Sequence, residues 1–218
     1  MAELVTIPIS YFELEIDYER PDVRLWIDRA SIVQGIFDAL KPWNPSVDDI
    51  ELRATGKPSE QGVAFKLPLK RVSFFFGAAS CKFTRDAVDW ESADETLTIL
   101  DTAFSALAKL GRIVMGTKRT TIGMHLQPRT MTFMDLLSPF MPPQLAALEK
   151  APMRTMAVVA KWEKRKVTLD GSAALANAVF VKIEREFESA SAYLEMAREL
   201  RADEEQLFRV LGVEEDRG

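Results

Sequence analysis

The chain carries one histidine, His125, and one cysteine, Cys81. That scarcity closes most routes to catalysis near neutral pH, because His is the side chain that ordinarily titrates there and Cys is the strongest intrinsic nucleophile. One of each cannot assemble a zinc site, and a lone cysteine cannot form an internal disulfide. A glycine-rich phosphate loop is also lacking, since Gly111 and Gly116 do not flank such a turn. Neither His125 nor Cys81 sits in a nucleophile motif, and an isolated Cys in an alternating segment is expected as a small core hydrophobe. The first residues lack a basic segment followed by an apolar core, and no apolar run approaches the roughly 18 residues needed to cross a bilayer. The expectation is a cytoplasmic protein with no cofactor and no membrane partner.

What is present is an ordinary folding composition: 218 residues, 47% apolar and 28% charged. One α+β domain over residues 1–218 is expected. The net charge of −5 is unevenly spread. Residues 182–218 hold eleven acids and six bases, and the remainder balances at 22 of each. An acidic helical region repels a polyanion. Lys66, Lys70 and Arg71, the pair Lys118 and Arg119, and the run Lys161, Lys164, Arg165 and Lys166 are therefore expected at solvated strand ends and turns, and nucleic acid is an unlikely partner.

Residues 11–19 alternate, with Phe12, Leu14, Ile16 and Tyr18 on one side and Glu13, Glu15, Asp17 and Glu19 on the other, which predicts a half-buried strand. Val5, Ile7 and Ile9 keep the opposite parity, which predicts a bulge or break near Ser10. A helix is expected from Asp28 to just before Pro42, with Ile32, Ile36, Phe37 and Leu40, followed by strand character over 47–54. Two or three strands follow between Gly62 and Arg85, with a turn near Lys70 and Arg71. The run Phe74, Phe75, Phe76 implies cover on both sheet faces. Ser92 and Glu95 read as a capping box opening a helix over 93–110, with Leu97, Leu100, Phe104 and Leu107 as its stripe and Gly111 as a left-handed end. Strands are expected again over 113–126 and 153–169, giving a mainly antiparallel twisted sheet with amphipathic helices packed on it.

Two segments read as interaction surfaces. Met115, Met124, Met131, Met134, Met141, Met153 and Met156 cluster in one stretch, within which 131–143 is largely apolar and broken by Pro139, Pro142 and Pro143. Methionine adapts to partners of different shape. Met131, Phe133, Met134, Leu137, Phe140 and Met141 are therefore the candidate partner- or ligand-binding residues, on a lid or docking element. The second is a long C-terminal helix over about 173–200, within a helical segment reaching residue 212. Ala176, Phe180, Ile183, Phe187, Ala190, Leu194 and Ala197 recur there at intervals of four and three, the seam of a helix on its own sheet or on a partner. Asp203 with Gln206 reads as the cap of a short terminal helix carrying Leu207, Val210 and Leu211.

The stretch CKFTRDAVDWESADETLTILDTAFSALAKLGRIVMGTKRTTIGMHLQP has Trp90 at a strand exit, a long amphipathic helix, and a basic strand with Lys118, Arg119 and Gly123. It resembles a sporadically distributed family of bacterial α+β proteins, and departs from it where Met124, His125 and Leu126 replace an aromatic residue and an Asn. The resemblance implies an α+β fold and brings no site residues.

Three functions follow, in order of preference. The first is a non-enzymatic binding or assembly protein whose partner is another protein or a second copy of the chain, as in a homodimer. The second is a carrier of a small apolar ligand, held in a cleft between a curved sheet and a helix that the proline-broken segment closes. The third is a divalent-metal hydrolase drawing on Asp17, Asp22 and Glu51 with Arg53 beside them.

Overall fold

A computed structural model describes residues 2–21, 29–53, 61–111, 113–142 and 156–216. Its strands are β1 (Glu3–Tyr18), β2 (Ile50–Arg53), β3 (Gly62–Leu67), β4 (Val72–Gly77), β5 (Ser80–Asp86), β6 (Met115–Pro128), β7 (Val158–Lys161), β8 (Arg165–Gly171), β9 (Val179–Phe187) and β10 (Val213–Glu215). The helices are α1 (Arg29–Leu40), α2 (Ala93–Gly111), α3 (Phe133–Leu137) and α4 (Tyr193–Leu211). Strands hydrogen-bond in the order β2-β3-β4-β5-β1-β6-β9-β8-β7, and β10 pairs in parallel with the start of β1. Pairing is antiparallel through β2–β5 and through β7–β9. The fold is α+β. Asp28 and Met153 fall outside the described residues, as do Asp22 and Pro143.

The chain clusters into two compact units, one formed by Met1–Tyr11, Thr121–Arg185 and Glu199–Gly218, the other by Phe12–Thr120 and Glu186–Arg198. In the second unit the sheet residues Phe65, Phe74, Phe76 and Phe83 and the helical Phe104 are fully buried. Their rings meet edge-on or stacked at centroid separations of 5.2–6.3 Å, so dispersion and ring electrostatics add to area burial. α2 buries Thr96, Ile99, Leu100, Ala103, Phe104 and Leu107, a stripe with helical spacing. α1 buries Ile32, Ile36 and Leu40. The expected turn near Lys70 is a single 3-10 turn over Pro68–Lys70, closed by Arg71 in the left-handed region. Of the three consecutive phenylalanines, Phe74 and Phe76 are buried and Phe75 is half-buried, with the Arg53 guanidinium 5.7 Å from its ring centroid.

Several local expectations are corrected. Ser92 does not cap α2, because a 3-10 turn over Trp90–Ser92 precedes the helix and Asp89 caps that turn, accepting from the Glu91 N–H at 2.9 Å. The Ser92 hydroxyl instead meets Asp89 and Arg85, and Glu95 pairs with Lys70. Gly111 remains helical. Among the described residues the glycine with positive φ is Gly212, which ends α4. β1 runs unbroken through Ser10, although its buried positions do change parity, from Val5 to Leu14, Ile16 and Tyr18.

The largest correction concerns the heptad. Residues 179–187 form β9, with Val179, Val181, Ile183 and Phe187 buried at period two, and the terminal helix starts only at Tyr193. Ile183 and Phe187 stand four apart and satisfy both a helical and a strand template. The β-branched residues Val179, Val181 and Ile183 at period two and the full ladder with β8 settle the choice for strand. No coiled-coil seam exists there. The terminal helix is one element to Leu211, so Asp203 is an interior helical residue rather than a cap.

Candidate binding groove

The first unit contains an open groove of about 250 Å³, built from three sequence-distant pieces. Its floor is the β7–β8 hairpin. The ladder places Val158 opposite Leu169 and Ala160 opposite Val167, and the Trp162 N–H donates to the Arg165 carbonyl at 2.7 Å to close the turn. Directly paired residues in an antiparallel ladder share a face. Val158, Ala160 and Trp162 thus stand beside Leu169, Val167 and Arg165, and all six line the groove. The wall is α4, contributing Asp203, Gln206, Leu207 and Val210, spaced i, i+3, i+4, i+7 on one helix face. Phe140, from the 3-10 turn after α3, completes the lining.

One end of this groove is polar and ordered. Arg165 Nη1 donates to Asp203 Oδ1 at 2.6 Å and reaches Gln206 Oε1 at 3.4 Å, while Arg185 Nη1 donates to Asp203 Oδ2 at 2.7 Å. Arg185 also pairs with Glu199. Asp203 is buried and each of its oxygens is occupied, as a buried carboxylate requires. The Arg165 guanidinium lies 4.3 Å from the Trp162 ring centroid, a cation–π contact that fixes its plane. The rest of the lining is apolar. Trp162 and Val210 keep 49% and 60% of their surface exposed, which leaves the groove accessible from solvent.

Of the candidate binding residues, Phe140 lines the groove, and so do Arg165 of the basic run and Asp203, Gln206, Leu207 and Val210 of the expected terminal helix. Leu137 is fully buried and belongs to the core with Leu136, so it cannot dock a partner. Met131, Phe133, Met134 and Met141 are half-buried and are not among the lining residues. The segment that holds them is anchored rather than loose. Thr132 and Asp135 form a capping box, and Asn177 accepts from the Phe133 N–H at 2.9 Å and donates to the Met131 carbonyl at 3.2 Å. Hydrogen bonds from Thr132 hold the Asp135 carboxyl below its usual range.

Local pattern does not disclose that the hairpin and the helix stripe share a groove. Residues 153–169 read as one strand-like run, whereas the turn at Glu163 and Lys164 divides 158, 160 and 162 from 165, 167 and 169. Asp203, Gln206, Leu207 and Val210 fall together in the expected short terminal helix, but Asp203 and Gln206 read there as a cap, whereas in the continuous helix they share one face with Leu207 and Val210.

The reactive candidates are satisfied locally. Cys81 is fully buried, and burial pushes its thiol far up, away from thiolate character. His125 Nδ1 lies 2.8 Å from Ser172 Oγ, which also accepts from the Ala174 and Leu175 N–H groups at 3.1 and 2.9 Å. With both lone pairs of Oγ engaged, the serine proton is directed to His125 Nδ1, and the hydroxyl has no free electron pair for attack. The pair therefore fastens the 172–175 turn to β6. Phe180 covers the imidazole at 5.0 Å between centroids, and burial lowers the histidine pKa.

The candidate metal acids are paired with cations. Asp17 and Glu15 meet Arg119, and Glu51 meets Arg53 and Lys66. Among the described residues no group of three or more His, Cys, Asp or Glu could hold a metal ion. The basic runs divide similarly, with Lys70 on Glu95, Lys166 on Glu184, and Lys118 donating to the Ser191 carbonyl beneath the Tyr193 ring.

No protein-family model matches the chain, and no curated protein sequence matches it. Among solved structures, the regulatory subunit of aspartate kinase from Thermus flavus is similar at 18% identity over 94% of this chain and 98% of that one, with a TM-score of 0.22. A superposition that loose carries no argument about function. Among the described residues, no helix is long and apolar enough to cross a membrane.

Proposed function

We propose that the protein is a non-enzymatic binding protein whose working site is the groove between the β7–β8 hairpin and α4, and that its ligand is a small, largely apolar molecule. The observation that carries this reading is the lining. Phe140, Val158, Ala160, Trp162, Val167, Leu169, Leu207 and Val210 offer apolar surface to one concavity, and the polar groups gather at one end. Pockets for small molecules have this composition, with few polar groups fixing orientation. An engineered apolar cavity of about 150 Å³ accommodates benzene, so a groove of this volume suits a chain of about ten carbons.

The test is displacement of a neutral solvatochromic dye, Nile red, by decanol. Saturable one-to-one displacement is expected for the wild type, with loss of dye binding in Phe140→Asp and an unchanged urea midpoint, since Phe140 is half-exposed. Dye binding that survives Phe140→Asp, or a variant that unfolds with a core-like cost, contradicts the reading.

Self-association is a second reading that one observation favours. β7 is the last strand of the sheet order, and Val159 on it is 58% exposed. An exposed edge offers unpaired N–H and C=O groups to another strand. Light scattering coupled to size-exclusion separates the two. A dimer that Val159→Lys dissolves supports assembly through the edge, and a monomer that binds decanol supports the groove.

A further inference from the structure

We infer that the groove selects a free monocarboxylate with an apolar tail of about ten carbons, and that Arg165 reads its head group; the inference rests on the groove being the binding site. The turn joining β7 to β8 and the residues beside it carry Lys161, Lys164, Arg165 and Lys166 against the single acid Glu163. Lys161 and Lys166 pair on the face of the hairpin turned away from the groove, and Lys166 meets Glu184, so Arg165 is the hairpin cation on the groove face.

Arg165 is the member of that set that lines the groove. A guanidinium has five N–H donors. Its Nη1 serves Asp203 and Gln206, and among the described residues no acceptor meets Nε or Nη2. Those two nitrogens form the fork that matches a carboxylate bidentately. Three contacts hold the fork in place before any ligand arrives: the Asp203 bond, the Trp162 ring and the Gln206 amide. Preorganisation of this kind lowers the entropy cost of binding.

The opposite head-group charge is disfavoured by the same geometry. Asp203, the acid in the groove, already spends Oδ1 on Arg165 and Oδ2 on Arg185. An ammonium head group would find no free carboxylate oxygen and would face the guanidinium. The tail would then lie along Ala160, Val167 and Leu207 toward Phe140.

The experiment compares decanoate, decanol and decylamine as displacers of Nile red at constant ionic strength and neutral pH. A charge-assisted bidentate contact predicts decanoate at least about ten-fold tighter than decanol, with decylamine the weakest. In Arg165→Gln the decanoate-to-decanol ratio should fall to within about two-fold, and in Arg165→Lys part of it should return, because the charge is kept and the fork is lost. Gln206→Glu keeps the Arg165–Asp203 pair and places an anion beside the head group, so it should lower the ratio even if Arg165→Gln fails to fold. Decanol binding as tightly as decanoate, decylamine binding tighter than either, or a ratio that survives both Arg165→Gln and Gln206→Glu overturns the inference while leaving the groove as a site. Failure of all three probes to displace the dye overturns the groove reading itself.

Discussion

Arg165 and Arg185 are direct cross-strand partners in the β8–β9 ladder, two like charges on one face of the sheet, and each gives a hydrogen bond to a different oxygen of Asp203. Like charges directly opposite each other destabilise a strand pair, so the arrangement persists only because α4 supplies the carboxylate between them. One buried acid thus couples the position of the helix to the hairpin beneath it. The same acid orients Arg165 in the groove.

Removing that acid exposes the repulsion. Asp203→Ala should lower unfolding free energy by about 3 kcal/mol, the lower end for breaking a buried pair because both arginines keep some access to water. Arg165→Gln should cost less, since Asp203 retains Arg185. Urea denaturation of the two variants checks the order, and a smaller loss for Asp203→Ala than for Arg165→Gln contradicts it.

The aromatic core and the groove wall should respond differently to truncation. Phe104→Ala is expected to cost ~3–5 kcal/mol, because the ring is fully buried against Phe74 and Phe76. Val210→Ala, at a position 60% exposed, should stay within about 0.5 kcal/mol. Equal losses in chemical denaturation would show that α4 has been assigned the wrong exposed face.

Gly123 lies under the ring of Tyr11, and a Cβ there would fall within the ring. Gly123→Ala should therefore destabilise by about 1–3 kcal/mol, the usual cost of overpacking. Adding Tyr11→Ala should recover part of that loss. Strict additivity in the double mutant would mean the two residues do not compete for space.

The pH dependence follows from His125, whose pKa burial lowers below its ordinary value of 6.5. The unfolded chain then takes up this proton before the folded one does. Stability is thus whole above about pH 6.5 and falls as pH drops toward the depressed folded value, with no further change below it. Melting temperature measured from pH 7 to about pH 5 should show this decline, and His125→Gln should remove part of it. At lower pH the Glu3 carboxyl, held below its usual range by hydrogen bonds from Thr130, adds a loss of its own as it protonates. A flat wild-type profile between pH 7 and 5, or one that His125→Gln leaves unchanged, contradicts the assignment.

Much of the fold was legible in side-chain periodicity. The phase of Leu14, Ile16 and Tyr18, the stripe of Leu100, Phe104 and Leu107, and the turn at Arg71 each came from local pattern, and local pattern is set by the element itself. The heptad failed because Ile183 and Phe187 fit two periods at once, and the deciding term was a ladder with residues 165–171 that no local window contains. Of the six candidate binding residues read from the sequence, Phe140 is the one that lines the groove. Its partners lie on a hairpin and a helix far away in sequence, and Asp203 disclosed its role only through two arginines brought to it by strand pairing. The methionines drew attention by composition, whereas the groove is made of Val, Ala, Leu, Trp and Phe placed by register.

The most direct test of the account is a titration of the wild type and Ala160→Phe with decanol, followed by Nile red fluorescence. Ala160 lines the groove beside Val167 in the hairpin ladder, and a phenyl ring there is expected to fill the space. Saturable binding in the wild type and its loss in a stable Ala160→Phe variant is the predicted result. Undiminished binding in that variant would place the ligand elsewhere on the molecule.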